Sequence, residues 1–345
     1  MTGGDPSMRL CFQEVWNGLE PRGRTVVVSM ERPRLSMEDD LRAEGQIHYQ
    51  FKLHERVSDG VMRIALEQIG HACELLVKRG DEMDDAIHEA RVSFKKVRAL
   101  LRLVRRELGR HVFKKENKTF REAGRRLSGI RDSAAVIETF DRLTKDDEAL
   151  TYDGLERMRA RLVRAEKTPI ADKEQALSAI FVCVEAALAR VADWPIDTEK
   201  FAALAPGLRS VYRKGGIALD AVLERPTSTN LHELRRRVKD LTYQIHLLRP
   251  VWPGMLKQFS AELKHLAHLL SEHHDLAVLR QALTDAPAIR TDADLLQAVL
   301  ALVDRRQQEI RIQAMPSAER IYLEKPRAFV RRIGGYWEAW RPETT

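Results

Sequence analysis

The feature of the sequence that most constrains the fold is a helical rhythm carried by two neighbouring stripes of side chains. In residues 87–106, IHEARVSFKKVRALLRLVRR, basic side chains recur at spacings of three and four, and apolar side chains recur at the same spacings one residue earlier. This period is typical of an amphipathic α-helix with one buried face. At about 100° per residue, the two stripes lie roughly 100° apart, which places the cations at the edge of the buried seam. The cationic stripe consists of His88, Arg91, Lys95, Arg98, Arg102 and Arg105.

The same pattern returns in the second half of the chain. Residues 231–249, LHELRRRVKDLTYQIHLLR, align with residues 87–105, and residues 263–279 align with residues 120–137. Because two separate segments match in the same order, the sequence predicts an internal duplication. The offset of 143 positions between the second pair of segments adds Lys114, Arg121, Arg125 and Arg131 in the first copy. The basic positions of the second copy are His232, Arg235, Lys239, His246, Lys257, Lys264, His268 and His274.

Helical periodicity extends over nearly the whole chain from about residue 55. It predicts an all-α fold with two tandem homologous helical bundles, related by a pseudo-twofold axis, and a basic groove between or along them. Residues 1–44 form an irregular N-terminal segment in which TVVVSM is compatible with a short strand. The duplicated region is 45–340, with repeat one at about 55–195 and repeat two at about 200–340.

Helix boundaries follow from residue types with known end preferences. Gly80 and Gly109 predict helix ends, and Asp132 or Ser133 predicts the N-cap of a further helix. Asp132 follows Arg131, and Asp275 follows His274 at the aligned position. The favoured interpretation of each pair is structural: the Asp caps the next helix and restrains the preceding cation.

Composition and charge favour a soluble protein with an anionic partner. The 345 residues have a formal net charge of +7, and residues 88–132 contain 15 Lys and Arg against 5 Asp and Glu. The basicity is therefore a patch. Three scattered cysteines fit a reducing compartment and argue against a thiolate metal site. Apolar runs are shorter than a membrane span, and the N-terminus lacks the order of a signal peptide, so we expect a cytoplasmic protein.

The cationic stripe needs an explanation beyond solubility. A single Lys or Arg is well explained by a solvated head on a buried aliphatic stem. Solvated helix faces usually mix both signs of charge, whereas six cations in register here have no acid among them and repel one another. The stripe therefore predicts a bound anion.

Two other functions remain open from the residues alone. The segment HLLSEHHD, with His268, His274 and Asp275, is compatible with a metal-dependent His-Asp phosphohydrolase. The repeat disfavours it, because arginine occupies the positions aligned with both histidines and cannot ligate a metal. Weak competing nucleic-acid binding shares the same electrostatics, but the cationic helices offer only Phe94 and Tyr243 for base stacking. The sequence contains no catalytic or phosphate-loop motif, so we expect neither catalysis nor a cofactor.

The residues resemble a known family, the CHAD domain, or conserved-histidine α-helical domain. Its signature H-x-x-R-V-x-x-[RK]-[RK]-x-R is similar to IHEARVSFKKVRALLRLV, and its L-G-x-x-R-D-x-x-V motif is similar to LSGIRDSAAVI. The resemblance covers about 48–335. It implies two helical bundles around a basic groove or pore that binds inorganic polyphosphate without known catalysis. Association of a cytoplasmic protein with polyphosphate granules is compatible with such a groove. The signature positions are His88, Arg91, Lys95, Lys96, Arg98, Arg102, Arg131 and Asp132, then His232, Arg235, Lys239, His246, His274 and Asp275.

The second copy departs from this signature. Asp240 occupies the place of a second cation, and Thr242 occupies the place of an arginine. Several of its remaining contacts are imidazoles, whose reference pKa is about 6.5, so we expect tighter polyanion binding at mildly acidic pH. His88 and His232, first on each cationic helix, are candidate direct donors.

Overall fold

A computed structural model of the protein describes residues 49–145, 152–164, 170–285 and 293–341. Within these ranges it does not describe the side chains at 81, 129–135, 152–153, 164 and 170–172. The irregular segment 1–44 and its TVVVSM strand lie outside the described residues. In the described ranges the chain is all-α and contains no strand, which confirms the predicted fold class.

The described residues form ten α-helices joined by short connections. The helices are α1 (Val57–Leu76), α2 (Met83–Leu103), α3 (Arg105–Thr144), α4 (Tyr152–Arg164), α5 (Ile170–Ala189), α6 (Ala205–Glu224), α7 (Ser228–Leu248), α8 (Pro253–Asp285), α9 (Ala293–Ile321) and α10 (Pro326–Trp340). Single 3₁₀ turns lie at Gly80–Glu82, Val191–Asp193, Phe201–Ala203 and Arg249–Val251.

Two glycines break the first helices close to the predicted ends. Gly80 has a φ of 70° and forms the turn between α1 and α2. The helix α2 ends at Leu103, somewhat earlier than predicted, and Gly109, also with a φ of 70°, kinks the start of α3. Positive φ costs glycine little, so both breaks are encoded locally.

The predicted N-cap at Asp132 or Ser133 is wrong, since α3 continues through both positions to Thr144. Asp275 likewise lies inside α8 and caps no helix. The apolar stripe of α3 continues through buried Leu127 and Phe140 on either side of the predicted boundary. Burial of that continuous stripe outweighs the modest preference of a single Asp or Ser for a cap.

The helices pack in two successive sets. In the first, α1 contacts α2, α2 contacts α3, and α5 contacts both α1 and α3. In the second, α6 contacts α7, α7 contacts α8, α8 contacts α9, and α10 contacts α6. The apolar stripe of α2 faces the core of the first set: Phe94 is 1% exposed and packs on Phe120 of α3 with ring centroids 5.8 Å apart. Each such burial stabilises the fold by about 1.5–3 kcal/mol.

The two sets meet where α2 contacts α7 and α3 contacts α8. At the first contact the Gln244 side-chain amide donates to the carbonyl oxygen of Ala99 over 3.1 Å, in a buried position. The segment before α1 joins the same helices: Tyr49 Oη donates to the Lys96 carbonyl (2.8 Å), and the Phe51 amide donates to the Leu247 carbonyl (3.1 Å). These contacts hold the two cationic helices against each other.

One described stretch, Lys173–Asp193, is long and apolar enough to cross a membrane by length and composition alone. Leu177, Ile180 and Val184 from this stretch are nevertheless buried in the helical core. Core helices of water-soluble proteins pass the same test, so it is weak support for a membrane span.

Candidate anion-binding site

The cationic stripe of α2 lies at the edge of the buried seam. Arg91, Lys95, Arg98 and Arg102 are each partly buried, whereas the apolar stripe beside them is fully buried. Their aliphatic stems cover the seam, and the charged heads lie where α2 meets α7. His88, at the start of the stripe, is exposed.

Cations from α2 and α7 converge on one region, which we call the central cluster: Arg91, Lys95, Arg235 and Lys239. Burial, followed by the charges of Arg235 and Lys95, lowers the pKa of Lys239 to about 7. Burial also lowers the pKa of Arg235, and Asp275 of α8 is the carboxylate that opposes this shift. Removing water strengthens the repulsion among these like charges. The Nε of Arg235 donates to Ser271 Oγ (3.1 Å), which fixes its orientation.

Two histidines adjoin the central cluster and contact each other. The Nδ1 atoms of His232 and His274 are 3.3 Å apart, so one ring must donate and the other must accept, which requires at least one neutral imidazole. Burial and then Arg235 lower the pKa of His274 to about 4, and burial lowers that of His232 as well. In the free protein this pair does not provide two positive charges near neutral pH.

His246 behaves in the same way further along α7. It is buried, and burial followed by the charges of Arg249 and Lys264 lowers its pKa to about 3. The expectation that the imidazoles of the second copy gain charge at mildly acidic pH is therefore wrong for His246 and His274 in the free protein. Desolvation and neighbouring cations both disfavour the imidazolium ion. Lys239 is the group of the central cluster whose pKa lies near neutrality.

A second group of cations lies around Arg98 and Arg102 of α2. We call it the outer cluster: Arg98, Arg102, Arg121, Lys214, Arg236 and Arg237. Burial and then Arg102 lower the pKa of Arg98 to about 10. Arg102 Nη1 lies 3.0 Å from Asp240 Oδ1, and both side chains are less than a fifth exposed. Asp240 therefore partly neutralises this cluster. The signature has a cation at this position, so the second copy is less basic here.

The remaining predicted residues lie on exposed surface or outside the described side chains. Arg105 is exposed and stacks over the ring of Phe113 at 4.7 Å. The side chains of Arg131 and Asp132 are not among those described. The other residues are exposed on α3 and α8: Lys114, Arg125, Lys257, Lys264 and His268.

The structure also brings in cations that sequence reasoning missed. Arg236 and Arg237 follow Arg235 on α7, and a run of three arginines was the available signal. Lys214 lies on α6, outside both aligned motifs, so nothing in the repeat pointed to it.

The described residues contain no group of three or more His, Cys, Asp and Glu side chains placed to hold a metal ion. His268 is exposed on α8, while His274 contacts His232. The part of the chain that the structure describes therefore offers no ready site for the ion that a His-Asp phosphohydrolase requires.

The sequence model of the CHAD domain matches residues 61–284. The chain belongs to the CHAD domain family. CHAD domains are generally binding domains and are associated with polyphosphate binding. The match runs from within α1 to the last turn of α8, so it includes the central cluster and the outer cluster. A search among curated proteins found no match for the chain.

Proposed function

We propose that this CHAD protein binds inorganic polyphosphate non-covalently in a basic groove where α2 meets α7. The central cluster is the observation on which the proposal rests. Four cations from two helices converge, and Asp275 is the carboxylate that acts on Arg235 and Lys239. The lowered pKa values of Arg235 and Lys239 mean that their surroundings disfavour the positive charge, and a bound polyanion would relieve that cost.

The arrangement suits a linear anion better than a single small one. Arg91 and Arg102 are eleven residues apart on α2, a rise of about 16 Å along the helix. The central and outer clusters follow one another along this distance. Guanidinium groups can donate two parallel hydrogen bonds to neighbouring phosphoryl oxygens, and lysines add point charge.

The proposal includes two repeats related by a pseudo-twofold axis. Helices α1, α2 and α3 pack in the same order as α6, α7 and α8, and the aligned helices α2 and α7 contact each other, as do α3 and α8. Contacts between equivalent elements are what a twofold relation produces. The groove would then receive one cationic helix from each repeat.

RNA is the competing ligand, and the aromatic residues favour polyphosphate over it. Phe94 is buried in the core, and Tyr243 is partly buried and forms a T-shaped contact with Tyr49, with ring centroids 6.5 Å apart. Neither presents an open ring face of the kind on which single-stranded bases stack. A cytoplasmic location, with association with polyphosphate granules, belongs to the same proposal.

The test is binding of long-chain polyphosphate, competed with single-stranded RNA and pyrophosphate over a series of salt concentrations. The groove variant is Arg91→Gln/Arg235→Gln, which removes two charges and keeps polar side chains. The control variant is Arg157→Gln/Arg320→Gln, which removes two exposed charges from α4 and α9.

We expect the wild type and the control variant to prefer polyphosphate. Removing two phosphate contacts should weaken binding about tenfold or more and make the slope of log affinity against log salt shallower by roughly 1.4. Equal affinity for RNA, or wild-type affinity in the groove variant, would contradict the proposal.

A further inference from the structure

A cleft between the first turns of α6 and α10 is basic and lies outside the residues singled out from the sequence. Its volume is about 580 Å³. Four of its lining residues are cations and none is acidic. The lining consists of Pro206, Arg209, Ser210 and Arg213 from α6, and Lys325, Pro326 and Arg327 at the start of α10.

The four cations of the cleft lack carboxylate partners among the described residues. The nearest acid along the chain is Glu324, and it is bound by Arg332, whose Nε lies 3.2 Å and 3.3 Å from the two carboxylate oxygens. A solvated basic surface usually intersperses acids, whereas here the local acid is already paired. The cleft therefore keeps an uncompensated positive charge.

The starts of the two helices add to this charge. The N-cap residues Leu204 and Lys325 provide no side-chain cap hydrogen bond, and Pro206 and Pro326 lie in the first turns. The positive ends of both helix dipoles are thus directed to the same cleft without a capping oxygen. The helix dipoles add to the positive potential of the four cations, which make the cleft basic without them.

The cleft is held in a fixed position beside the cationic helix α2. A Cβ at Gly207 would collide with the backbone carbonyl oxygens of Leu103 and Arg102, so the start of α6 lies directly on the end of α2. On the other side, Tyr212 Oη donates to the Ile321 carbonyl over 2.9 Å, and Gly215 accommodates the ring of Tyr322. These contacts fix the turn that leads to Lys325.

Lys214 is a cation between the groove and the cleft. Lys214 follows Arg213 of the cleft on α6, and its pKa is lowered by burial and then by Arg237, Arg105 and Arg102. Lys214 is therefore within electrostatic range of both the outer cluster and the cleft. On this path Arg102 pairs with Asp240 and Arg237 pairs with Glu233, whereas Lys214 has no carboxylate partner among the described residues.

We propose that the cleft is a second phosphate-binding site for the same linear polymer, which leaves the groove past Lys214 and continues between Arg213 and Arg327. The proposal rests on the proposed function and extends it. Engagement of the cleft by a chain already held in the groove is intramolecular, so it adds affinity only for chains long enough to reach both sites. The cleft thus makes binding depend on polymer length.

The experiment compares tripolyphosphate with long-chain polyphosphate. The cleft variant is Arg209→Gln/Arg327→Gln, and a second variant, Arg213→Gln/Lys325→Gln, removes the other two charges. All four side chains are exposed, so thermal unfolding should be unchanged. We expect each variant to bind long chains about tenfold more weakly, with a salt slope shallower by roughly 1.4, and to bind tripolyphosphate as the wild type does.

The possible outcomes separate this inference from the proposed function. If both cleft variants bind long chains like the wild type while the groove variant Arg91→Gln/Arg235→Gln binds weakly, the inference fails and the groove remains. An equal loss for short and long chains would also overturn it, because no second site would then be reached by length. If the groove variant retains wild-type affinity, the proposed function itself fails. The control variant Arg157→Gln/Arg320→Gln should match the wild type for both ligands.

Discussion

Lys239 should make polyphosphate binding depend on pH near neutrality. Its ammonium group lies among Arg235 of its own helix, Lys95 and Arg91 of α2, and Asp275 of α8. Burial is the main reason that its pKa falls to about 7, and the three cations outweigh the single carboxylate. Above pH 7 the free protein therefore holds Lys239 largely as the neutral amine.

A bound polyanion reverses this preference, since it favours the ammonium form and raises the pKa toward the reference value of about 10.4. Binding then takes up a proton, and the affinity is complete below pH 7 and falls as pH rises through the free-protein pKa. For a free pKa of 7 the affinity should fall about thirtyfold between about pH 6 and about pH 8.5. The stability of the fold has the opposite pH dependence: between the two pKa values the unfolded chain binds the extra proton, so stability rises with pH there.

The assay is calorimetric titration with long-chain polyphosphate at constant ionic strength. Long chains are used because only their end groups titrate in this range. Repeating the titration in buffers of different ionisation enthalpy measures the proton uptake directly. The matched variant is Lys239→Arg, whose guanidinium stays charged and should give a nearly flat profile.

Two results would refute this reasoning. One is a flat profile in the wild type, and the other is an unchanged slope in Lys239→Arg. Imidazole titration would instead survive in Lys239→Arg and disappear in His232→Gln/His274→Gln. The lowered pKa values of both histidines lead us to expect the opposite.

Three further outcomes follow from the contacts. Asp240→Asn should tighten polyphosphate binding about threefold to tenfold, because it frees Arg102 and removes a nearby anion. Direct titration at fixed salt measures the affinity, and unchanged or weaker binding would contradict the prediction. Gly207→Ala should cost about 3 kcal/mol or more of unfolding free energy in urea, since its Cβ would meet the Leu103 carbonyl; a normal midpoint would refute the close packing. Glu116→Gln should cost about 1–3 kcal/mol, because this carboxylate is 2% exposed and forms two hydrogen bonds to one arginine; a loss under 0.5 kcal/mol would show that the pair is dispensable.

The sequence was sufficient for features that are encoded locally. The spacing of Phe94, Val97 and Leu101 determines which face of α2 is buried, and that face determines where Arg98 and Arg102 lie. The period of the sequence predicts the buried face because residues three and four positions apart lie on the same side of a helix.

Charge states and helix ends that depend on packing could not be predicted in this way. Nothing within α7 indicates that His246 is enclosed by Tyr49 and by cations from other elements, so its reference pKa was misleading. The preference of Asp132 for a cap was likewise overridden by a stripe of core residues on both sides. The cleft of α6 and α10 joins residues more than a hundred positions apart, and neither segment lies in the aligned motifs.

Asp240 and His246, which replace a lysine and an arginine of the first copy, explain each other once equivalent positions at the α2–α7 contact are compared. Arg102 of the first copy faces Asp240 at 3.0 Å, so its buried guanidinium has a counter-charge. The aligned residue of the second copy, His246, instead has Lys96 among the cations that lower its pKa, and Lys96 aligns with Asp240. A permanent guanidinium at 246 would lie buried beside a cation without that carboxylate, at a cost of several kcal/mol. An imidazole can stay neutral there and still donate a hydrogen bond. The acid at 240 and the histidine at 246 are therefore coupled. Arginine occupies position 102, where the opposite helix offers a carboxylate. A group that can lose its charge occupies position 246, where the opposite helix offers a lysine.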